Sequence, residues 1–583
     1  MSAFVTLKSF FKRHKWSYLI GVAWLLFIDL IQLLVPQIIR NFTDNLKDGL
    51  LDPSGIIKYA FLIILTGLLI AVGRFFWRIY ILGTSRELEY YLRKKLFNHL
   101  LTLSPNYFNT HKTGDLMAHA TNDVNAVRMA IGQGTIMIVD SAFMIVLTLI
   151  MMVRTTNLRL TAISLVTLPF IIIFVNRFGK IIHKRFRIVQ EAFSNLTDVT
   201  QESFSGIRVV KSFVQEDLVL DNFTKINEDN LKKNISLVLV SGTFHPFIHL
   251  ISAISFLLII YFGGKEVILN RISLGEFIAF NSYLGLLVWP MMALGWVINL
   301  LQRGAASMER INAILDEKPE IKDLEDAIEL NKIKGKVQFK NVSFKYPSSE
   351  NYAIKNIDFT IEPGKSLAII GRTGSGKTTI VNLLLRLYDI KEGEICIDDI
   401  PVKKLTLKSL RENIGYVPQD NFLFSTSIEE NIGFSFEGNL DREKIVKAAK
   451  SAEIYDNIIS FPKGFETVLG ERGVTISGGQ KQRTSIARAL IKEPSILILD
   501  DSLSSVDTET EEKILNNLKS YMDDRTTIII SHRISTVKDC DEIIVIDEGE
   551  IIERGTHDYL LAQNGIYSEL HEKQLLEEKI IND

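Results

Sequence analysis

Six long apolar stretches dominate the first half of the chain. Each is long enough, or in the fourth case nearly so, to cross a bilayer core of about 30 Å at about 1.5 Å rise per helical residue. After Arg303 no such run recurs, and short apolar runs typical of strands alternate with amphipathic helical patterns. The pattern predicts a six-helix all-α transmembrane domain followed by an α/β domain. The six stretches are Tyr18–Ile39, Ile56–Leu82, Ile131–Val153, Leu160–Val175, Ile235–Phe262 and Leu274–Leu301.

The same pattern gives domain boundaries. Phe4, Leu7 and Phe11 fall on one helical face beside basic residues, which predicts a short helix on the cytoplasmic membrane surface. The alternative is a polar, frayed tail. We divide the chain into this interfacial helix (1–16), the transmembrane domain (17–304), a linker (305–334), the α/β domain (335–575) and a tail (576–583).

Lysine and arginine counts predict the orientation in the membrane. The N-terminal segment carries four, and the loops after the second and fourth stretches carry six and ten. The loops after the first, third and fifth stretches carry two each. By the positive-inside rule, both termini are cytoplasmic.

Composition and charge exclude several classes of protein. With 47 % hydrophobic residues, the chain is too apolar to be disordered. Its net charge is −2, from 66 Lys and Arg against 68 Asp and Glu, so no overall basic field favours nucleic acid as a partner. The two cysteines, Cys396 and Cys540, lack the spacing of a disulfide framework or a zinc site and are expected to be free thiols.

Two carboxyl groups lie in the predicted spans. Asp29 and Asp140 fall near the middle of the first and third stretches. An ionisable group there costs at least about 2.5 kcal/mol unless it faces water or a partner. We therefore expect both to line a polar cavity, where they either recognise a cationic substrate or form a polar contact between helices.

A phosphate-binding loop opens the α/β domain. It follows the strand-like run Ser366–Ile370 and precedes a helical run that begins at Thr379. Its glycines let backbone N–H groups surround phosphate oxygens, Lys377 reaches the β and γ phosphates, and Thr378 can ligate Mg²⁺. The loop consists of Gly371, Arg372, Thr373, Gly374, Ser375, Gly376, Lys377 and Thr378.

A second element accompanies this loop. The unbroken apolar run Ile496–Leu499 is typical of a buried parallel strand, and it ends in the carboxylate of Asp500. At the carboxyl end of such a strand Asp500 would hold Mg²⁺ through water, as a Walker B aspartate does.

The segment Ile476–Arg483, ISGGQKQR, resembles the LSGGQ signature of ABC ATPases, with Ile in the first position. Further matches follow in the order of that family: Tyr346, Gln419, Ser504–Asp507 and His532. The segment Thr467–Gly473 also resembles the stretch that precedes the signature in exporters.

This resemblance implies ATP and Mg²⁺ as cofactors and assigns roles to individual residues. Tyr346 would stack on adenine, and Asp501, His532 and Gln419 would be catalytic. Metal contacts would come from Thr378, Gln419 and Asp500. The nucleotide would be bound by the phosphate-binding loop, Thr379, and the signature residues Ser477, Gly478, Gly479 and Gln480.

Six helices ahead of one ATPase resemble the layout of an ABC exporter half-transporter. In that family the P-loop of one subunit faces the signature of the other, so the resemblance implies a second half-transporter as partner. It also implies short coupling helices in the cytoplasmic loops. The candidates are Asn109–Asp115 and Ser205–Phe213, and the loop after Gln419 forms part of the receiving surface.

One position departs from the family pattern. Where a catalytic glutamate should follow Asp500, this chain has Asp501, whose side chain is one methylene shorter. Losing a positioned general base typically costs about 10²- to 10⁴-fold in rate. The P-loop site of this chain is therefore expected to hydrolyse slowly, as in the heterodimeric multidrug exporters of Gram-positive bacteria. The alternative is a homodimer in which Asp501 still works.

The expected function is ATP-driven export of small hydrophobic or amphipathic compounds across the bacterial cytoplasmic membrane by alternating access. Membrane lipids would surround the transmembrane domain. A lipid flippase with the same machinery is the main alternative, and a membrane sensor that binds ATP without transporting anything is another.

Overall fold

The computed structural model describes residues 2–582 apart from 167, 348, 437–440, 471–472, 474–475, 504–507 and 523. The chain divides into two compact units. The helical unit comprises Met1–Leu101 and Thr113–Glu317. The α/β unit comprises Thr102–Lys112 and Lys318–Asp583, so a short segment of the first long loop belongs with the second unit.

Long helices build the helical unit. Five helices in the part of the chain that the structure describes are long and apolar enough to cross a membrane. The fourth predicted stretch falls on α8 and the start of α9, and Thr167 between them lies outside the described residues. The helices are α1 (Lys8–Lys47), α2 (Pro53–Trp77), α3 (Gly83–Leu100), α4 (Pro105–Thr110, in the α/β unit), α5 (Thr113–Ala118), α6 (Val124–Ile131), α7 (Gln133–Thr155), α8 (Leu158–Leu165), α9 (Leu168–Ser205), α10 (Ile207–Ser212), α11 (Glu216–Ile268) and α12 (Leu274–Asp316).

The N-terminal segment packs into the helical unit. A 3₁₀ helix, Ser2–Leu7, runs directly into α1, whose helical dihedrals are interrupted at His14. Leu7 and Phe10 are buried in a cluster with residues of α3, α6 and α12. The segment is held there by Asn312, whose Nδ2 donates to the carbonyl of Ala3 over 2.8 Å.

Buried polar contacts tie α12 to the other helices of this unit. The hydroxyl of Tyr283 donates to the backbone carbonyl of Leu33 in α1 over 3.0 Å. Further along, Asp123 accepts hydrogen bonds from Ser307 and from Arg310 Nε, at 2.8 and 2.9 Å. Because buried polar groups need such partners, these contacts fix the register of α12 against its neighbours.

The α/β unit contains two sheets. A four-stranded antiparallel sheet has the order β2-β1-β4-β5. A six-stranded sheet has the order β10-β9-β3-β8-β7-β6 and is parallel except for the β9–β10 pair. The strands are β1 (Val337–Phe344), β2 (Ile354–Ile361), β3 (Ser366–Gly371), β4 (Glu392–Ile397), β5 (Ile400–Pro401), β6 (Ile414–Val417), β7 (Ile496–Asp500), β8 (Thr526–Ile530), β9 (Glu542–Asp547) and β10 (Glu550–Gly555).

The central parallel strands are buried along their whole length, which accounts for their mainly apolar sequences. Helices pack around the sheets, and both cysteines are buried free thiols. The helices are α13 (Lys377–Leu384), α14 (Leu407–Glu412), α15 (Ile428–Gly433), α16 (Arg442–Ser451), α17 (Tyr455–Ser460), α18 (Gly478–Leu490), α19 (Thr508–Met522), α20 (Ile534–Val537), α21 (His557–Ala562) and α22 (Ile566–Asn582).

Candidate nucleotide site

The phosphate-binding loop joins β3 to α13, as its sequence context predicts. Two of its glycines are required by the local geometry. Gly376 has φ +103°, and a Cβ there would lie 2.5 Å from the carbonyl oxygen of Ala353. A Cβ on Gly371 would lie 2.1 Å from the carbonyl oxygen of Ile546. Any other residue would push the loop away from the sheet, so the glycines fix its path.

Lys377 is held inside this loop. Its ammonium donates to the carbonyl of Gly371 at 2.9 Å and to that of Arg372 at 2.8 Å. Burial lowers its pKa, although the nearby carboxylates of Asp500 and Asp501 oppose this effect. A buried cation beside exposed loop amides forms an anion site, which fits the expected role with phosphate.

The end of β7 supplies the carboxylate. Asp500 is 1 % exposed, and Thr378 Oγ1 donates to its Oδ1 over 3.3 Å. Its other oxygen, Oδ2, and the hydroxyl of Ser375 are buried with no hydrogen-bond partner among the described residues. Burial raises the pKa of Asp500. Unpartnered hard oxygen donors beside a phosphate loop fit a site for Mg²⁺.

Asp501 follows directly in an unusual backbone conformation. Its φ is +47°, in the left-handed region that aspartate tolerates better than most residues. Its N–H donates to the carbonyl of Ile530 at the end of β8 over 2.8 Å. The backbone of Asp501 is therefore hydrogen-bonded to the neighbouring strand.

A cleft of about 250 Å³ brings most of the predicted P-loop, metal-binding and catalytic residues together, although Gly371, Arg372 and Ser375 of the loop do not line it. His532 and Gln419 lie at its more exposed side. Partial burial and the positive charge of Lys377 lower the pKa of His532, which favours the neutral imidazole. The cleft is lined by Tyr346, Thr373, Gly374, Gly376, Lys377, Thr378, Thr379, Gln419, Asp500, Asp501 and His532, together with Ala353 and Ile530.

Tyr346 borders this cleft next to other aromatic residues. Its hydroxyl lies 3.1 Å from Thr379 Oγ1 in the first turn of α13. Its ring makes edge contacts with Phe344 and Tyr388, at centroid distances of 5.0 and 5.1 Å. The contacts leave a half-buried aromatic face at the cleft, which suits stacking on a base.

The residues of the signature lie outside this cleft, at the start of α18. Ser477 caps the N-terminus of α18: its hydroxyl accepts from Gln480 N, and its N–H donates to Gln480 Oε1 over 3.0 Å. None of the described signature residues lines the P-loop cleft. The predicted segment Ser504–Asp507 lies outside the described residues, as do Glu471 and Arg472 of the segment before the signature.

The first predicted coupling segment begins in α4, which belongs to the α/β unit. Asn109 Nδ2 donates to the Tyr388 hydroxyl over 3.0 Å. Ser104 and Asn106 donate to the carboxylate of Glu320 at 2.6 and 3.0 Å. The second predicted segment, Ser205–Phe213, contains α10 in the helical unit.

Sequence reasoning missed Tyr388. It lies in the turn after α13, and no spacing in the sequence connects it with Tyr346 or Asn109. The only signal was an aromatic residue placed directly after the helix that follows the P-loop.

Fold and site together define an ATPase coupled to membrane transport. Residues 18–291 match the family model described as the ABC transporter transmembrane region, and residues 354–504 match the one described as ABC transporter. The chain belongs to the ABC transporter family, as an exporter with transmembrane and ATPase domains on one polypeptide.

Several known proteins are similar to it over nearly their full length. The "probable multidrug resistance ABC transporter ATP-binding/permease protein YheI" of Bacillus subtilis is 40 % identical, covering 97 % of both chains. The "multidrug resistance-like ATP-binding protein MdlA" of Escherichia coli is 39 % identical, covering 99 % of this chain and 97 % of that protein. A "bacterial Atm1-family ABC exporter with ATP bound" has a TM-score of 0.78 at 25 % identity, covering 97 % of this chain and 99 % of that one.

Proposed function

We propose that this protein exports hydrophobic or amphipathic compounds across the bacterial cytoplasmic membrane. It would do so as one half of a heterodimer, in which the P-loop site of this chain hydrolyses ATP slowly. The transmembrane domain would have six spanning helices, with both termini in the cytoplasm and lipid around it. The observation that carries the proposal is Asp501, at the end of β7 where the family places a glutamate.

The geometry of the cleft supports the need for a partner. Lys377, Asp500 and His532 meet in one cleft, whereas Ser477 at the start of α18 does not line it. An anion bound in the cleft would therefore have one side open to a second subunit. A signature helix from that subunit would add its N-terminal N–H groups and partial positive charge there.

Asp501 supports the proposed asymmetry. Its backbone N–H is bonded to the end of β8, which holds the backbone at this position, and its side chain is one methylene shorter than that of glutamate. The carboxylate would therefore end about one C–C bond short of the position from which a glutamate would orient the attacking water. By contrast, the residues that would bind nucleotide on this chain match the family pattern, and its signature departs from that pattern only at Ile476. We infer that this chain holds ATP and completes a faster site on the partner.

Binding and hydrolysis of ATP by these residues would drive alternating access. Tyr346 would orient the base, the loop amides and Lys377 would bind the phosphates, and Thr378, Asp500 and Gln419 would hold Mg²⁺. When bound, Mg²⁺ would neutralise charge that develops on the phosphates. ATP can drive closure because its full binding site exists only in the closed state. Hydrolysis, mainly at the partner's site, would reopen the pair.

Two kinds of relative bear on the choice of substrate. The relatives described as multidrug resistance proteins are 39 % and 40 % identical over almost the whole chain. An "ATP-dependent lipid A-core flippase" of Syntrophus aciditrophicus is 36 % identical, covering 84 % of this chain and 81 % of that protein. We favour drug-like amphipathic compounds and keep lipid as the second candidate.

Reconstitution in liposomes of defined lipid tests this proposal. The chain, alone and with candidate partners, is assayed for ATPase stimulated by amphipathic dyes and for dye transport. We expect activity only in the paired complex. His532→Ala should reduce it less than the equivalent change in the partner, and equal losses from the two changes would refute the asymmetry.

A further inference from the structure

The last helix of the chain contacts the segment that carries His532. Gln574 of α22 bonds the backbone of this segment with both ends of its side-chain amide. Its Nε2 donates to the carbonyl of His532, and its Oε1 accepts from the N–H of Ile534 over 2.9 Å. These two backbone groups belong to the residues on either side of Arg533. One side chain therefore holds the backbone directly after His532.

The bonded backbone groups lie in the short connection between β8 and α20. The strand ends at Ile530 and the helix begins at Ile534, so His532 is placed by this connection and not by either element. An N–H group in the first turn of a helix has no acceptor within that helix. A side-chain amide suits both backbone groups, because it carries a donor and an acceptor on two separate atoms.

The helix α22 is itself anchored at its N-terminus. The carboxylate of Glu553 in β10 accepts from the N–H of Ile566 at 2.6 Å and from that of Tyr567 at 3.1 Å. The Tyr567 side chain is buried, and its hydroxyl lies 2.7 Å from Nδ1 of His557. Gln574 follows Tyr567 by seven residues, which is about two helical turns, so both lie on the same face of α22. Gln574 is therefore presented from a fixed support.

A second helix holds the same segment at different points. Glu511 of α19 is buried, and its carboxylate accepts from Arg533 Nη1 and, over 2.5 Å, from the hydroxyl of Thr536. Glu511 thus bonds two side chains, whereas Gln574 bonds the backbone of His532. The two contacts can therefore be tested separately.

His532 connects this contact with the nucleotide site. Its side chain lines the cleft together with Lys377 and Asp501. A displacement of about 1 Å can cost a catalytic group much of its effect. Gln574 is not among the described residues that line the cleft. It can therefore influence the reaction through the position of His532, without touching the nucleotide.

We propose that Gln574 is a positioning residue for ATP hydrolysis: its side-chain amide holds the backbone at His532 and so fixes where the imidazole lies in the cleft. The last helix of the chain, α22, is by this contact a part of the nucleotide site. The inference rests on the proposed catalytic role of His532.

Steady-state kinetics of the complete transporter test the inference. The partner's P-loop site is inactivated and Asp501→Glu is introduced, so that the measured hydrolysis comes from the site on this chain. In that background, Gln574→Met keeps the length of the side chain and removes both amide bonds. Glu572→Met, at an exposed position of the same helix, is the matched control. His532→Ala, alone and combined with Gln574→Met, completes a double-mutant cycle.

We expect Gln574→Met to lower kcat by about tenfold and to change the KM for ATP by less than about twofold, because the P-loop still binds the phosphates. Glu572→Met should change neither. When residue 532 is already alanine, Gln574→Met should lower kcat no further. Gln574→Glu, which keeps the acceptor for Ile534 and loses the donor for His532, should also lower kcat and serves as the second variant. Calorimetry verifies that the variants are folded.

The possible outcomes separate this inference from the proposed function. If His532→Ala lowers kcat, the positioning role is overturned by an unchanged kcat in the Gln574 variants, by an equal loss in Glu572→Met, or by a loss that persists in full when residue 532 is alanine. If His532→Ala leaves kcat unchanged, the proposed role of His532 fails and the positioning role fails with it. A loss of kcat that requires His532 establishes the role of Gln574.

Discussion

The side-chain amide of Asn109 donates a 3.0 Å hydrogen bond to the hydroxyl of Tyr388. The Tyr388 ring is in edge contact with Tyr346, the residue expected to stack on adenine. A short helix of the first long loop is thereby linked through two aromatic rings to the nucleotide site. We expect this contact to transmit the binding of adenine at Tyr346 to the short helix α4 in that loop.

Tyr388→Phe tests that link, because it removes the hydroxyl and keeps the ring. ATP affinity should stay within about twofold, whereas substrate-stimulated ATPase should fall about fivefold, the equivalent of one hydrogen bond of about 1 kcal/mol. Asn106→Ala is the matched control, since Asn106 bonds Glu320 instead of Tyr388. Equal effects of the two changes would contradict a specific role for Tyr388.

Lys377→Ala should abolish tight nucleotide binding. The buried ammonium is held by the two carbonyls at the start of the loop and is the main positive charge there. A charge-assisted interaction of about 1.5 to 3 kcal/mol corresponds to roughly a ten- to hundredfold loss in ATP affinity, which a fluorescent nucleotide would measure. Lys365→Ala, which breaks an exposed ion pair with Asp541 at the other end of β3, should bind ATP normally.

Asp500→Asn should stabilise the protein without metal and remove its response to metal. Burial raises the pKa of Asp500, so the folded state binds its proton more tightly than the unfolded state does. The ionised carboxylate therefore lowers folding stability as the pH rises above the ordinary aspartate pKa.

The asparagine variant lacks that penalty. At neutral pH in chelator it should be more stable than wild type, and the difference should shrink as the pH falls through the ordinary aspartate range. Calorimetry of the ATPase transition, with and without Mg²⁺ and ATP, measures both effects. A destabilised variant that still responds to Mg²⁺ would show that Asp500 does not hold the metal.

Much of the ATPase domain could be predicted from sequence because its chemistry is local. The P-loop, the strand ending at Asp500 and the start of the signature helix each lie within a few consecutive residues, and the structure places them as β3–α13, β7 and α18. The sheet orders could not be predicted, since parallel neighbours such as β3 and β8 are far apart in the chain. The contact of Tyr388 with Asn109 could not be predicted either, because these two residues are also far apart in the chain.

In the helical unit, apolar periodicity predicted where helices run but not how they end or pair. The lengths of the apolar stretches predicted the membrane spans. The helix α11 is longer than its predicted span, at 53 residues, because a polar helical segment precedes the apolar stretch and no helix-breaking residue separates the two. Asp29 and Asp140 each stood out as polar residues in apolar runs. The structure packs α1 against α7, an arrangement that periodicity does not specify.

Arg488 is a structural requirement that the sequence did not single out. Its guanidinium, in α18, donates to the carbonyl and side-chain oxygens of Asn431 and to the carbonyl of Phe422, at 2.7, 2.9 and 2.9 Å. Burial lowers its pKa to about 10. It thus connects the signature helix to the loop after Gln419.

Arg488→Ala should destabilise the ATPase domain by about 3 kcal/mol, because two carbonyl groups lose a charged donor. Calorimetry measures the loss, and Arg488→Lys should restore part of it. Arg554→Ala, which breaks a more exposed pair with Glu542, should cost less than about 1 kcal/mol. Equal losses for the two alanine variants would contradict the role of Arg488.

The most direct test concerns Asp501. The ATPase rate of the purified chain is measured alone and beside its partner, for wild type, Asp501→Glu and Asp501→Asn. The unpaired chain should show little turnover in any of the three forms. Beside a partner whose own P-loop site has been inactivated, we predict slow turnover for wild type, a gain of about 10²-fold on Asp501→Glu and little change on Asp501→Asn. Rapid hydrolysis by the unpaired wild-type chain that Asp501→Asn abolishes would contradict the account.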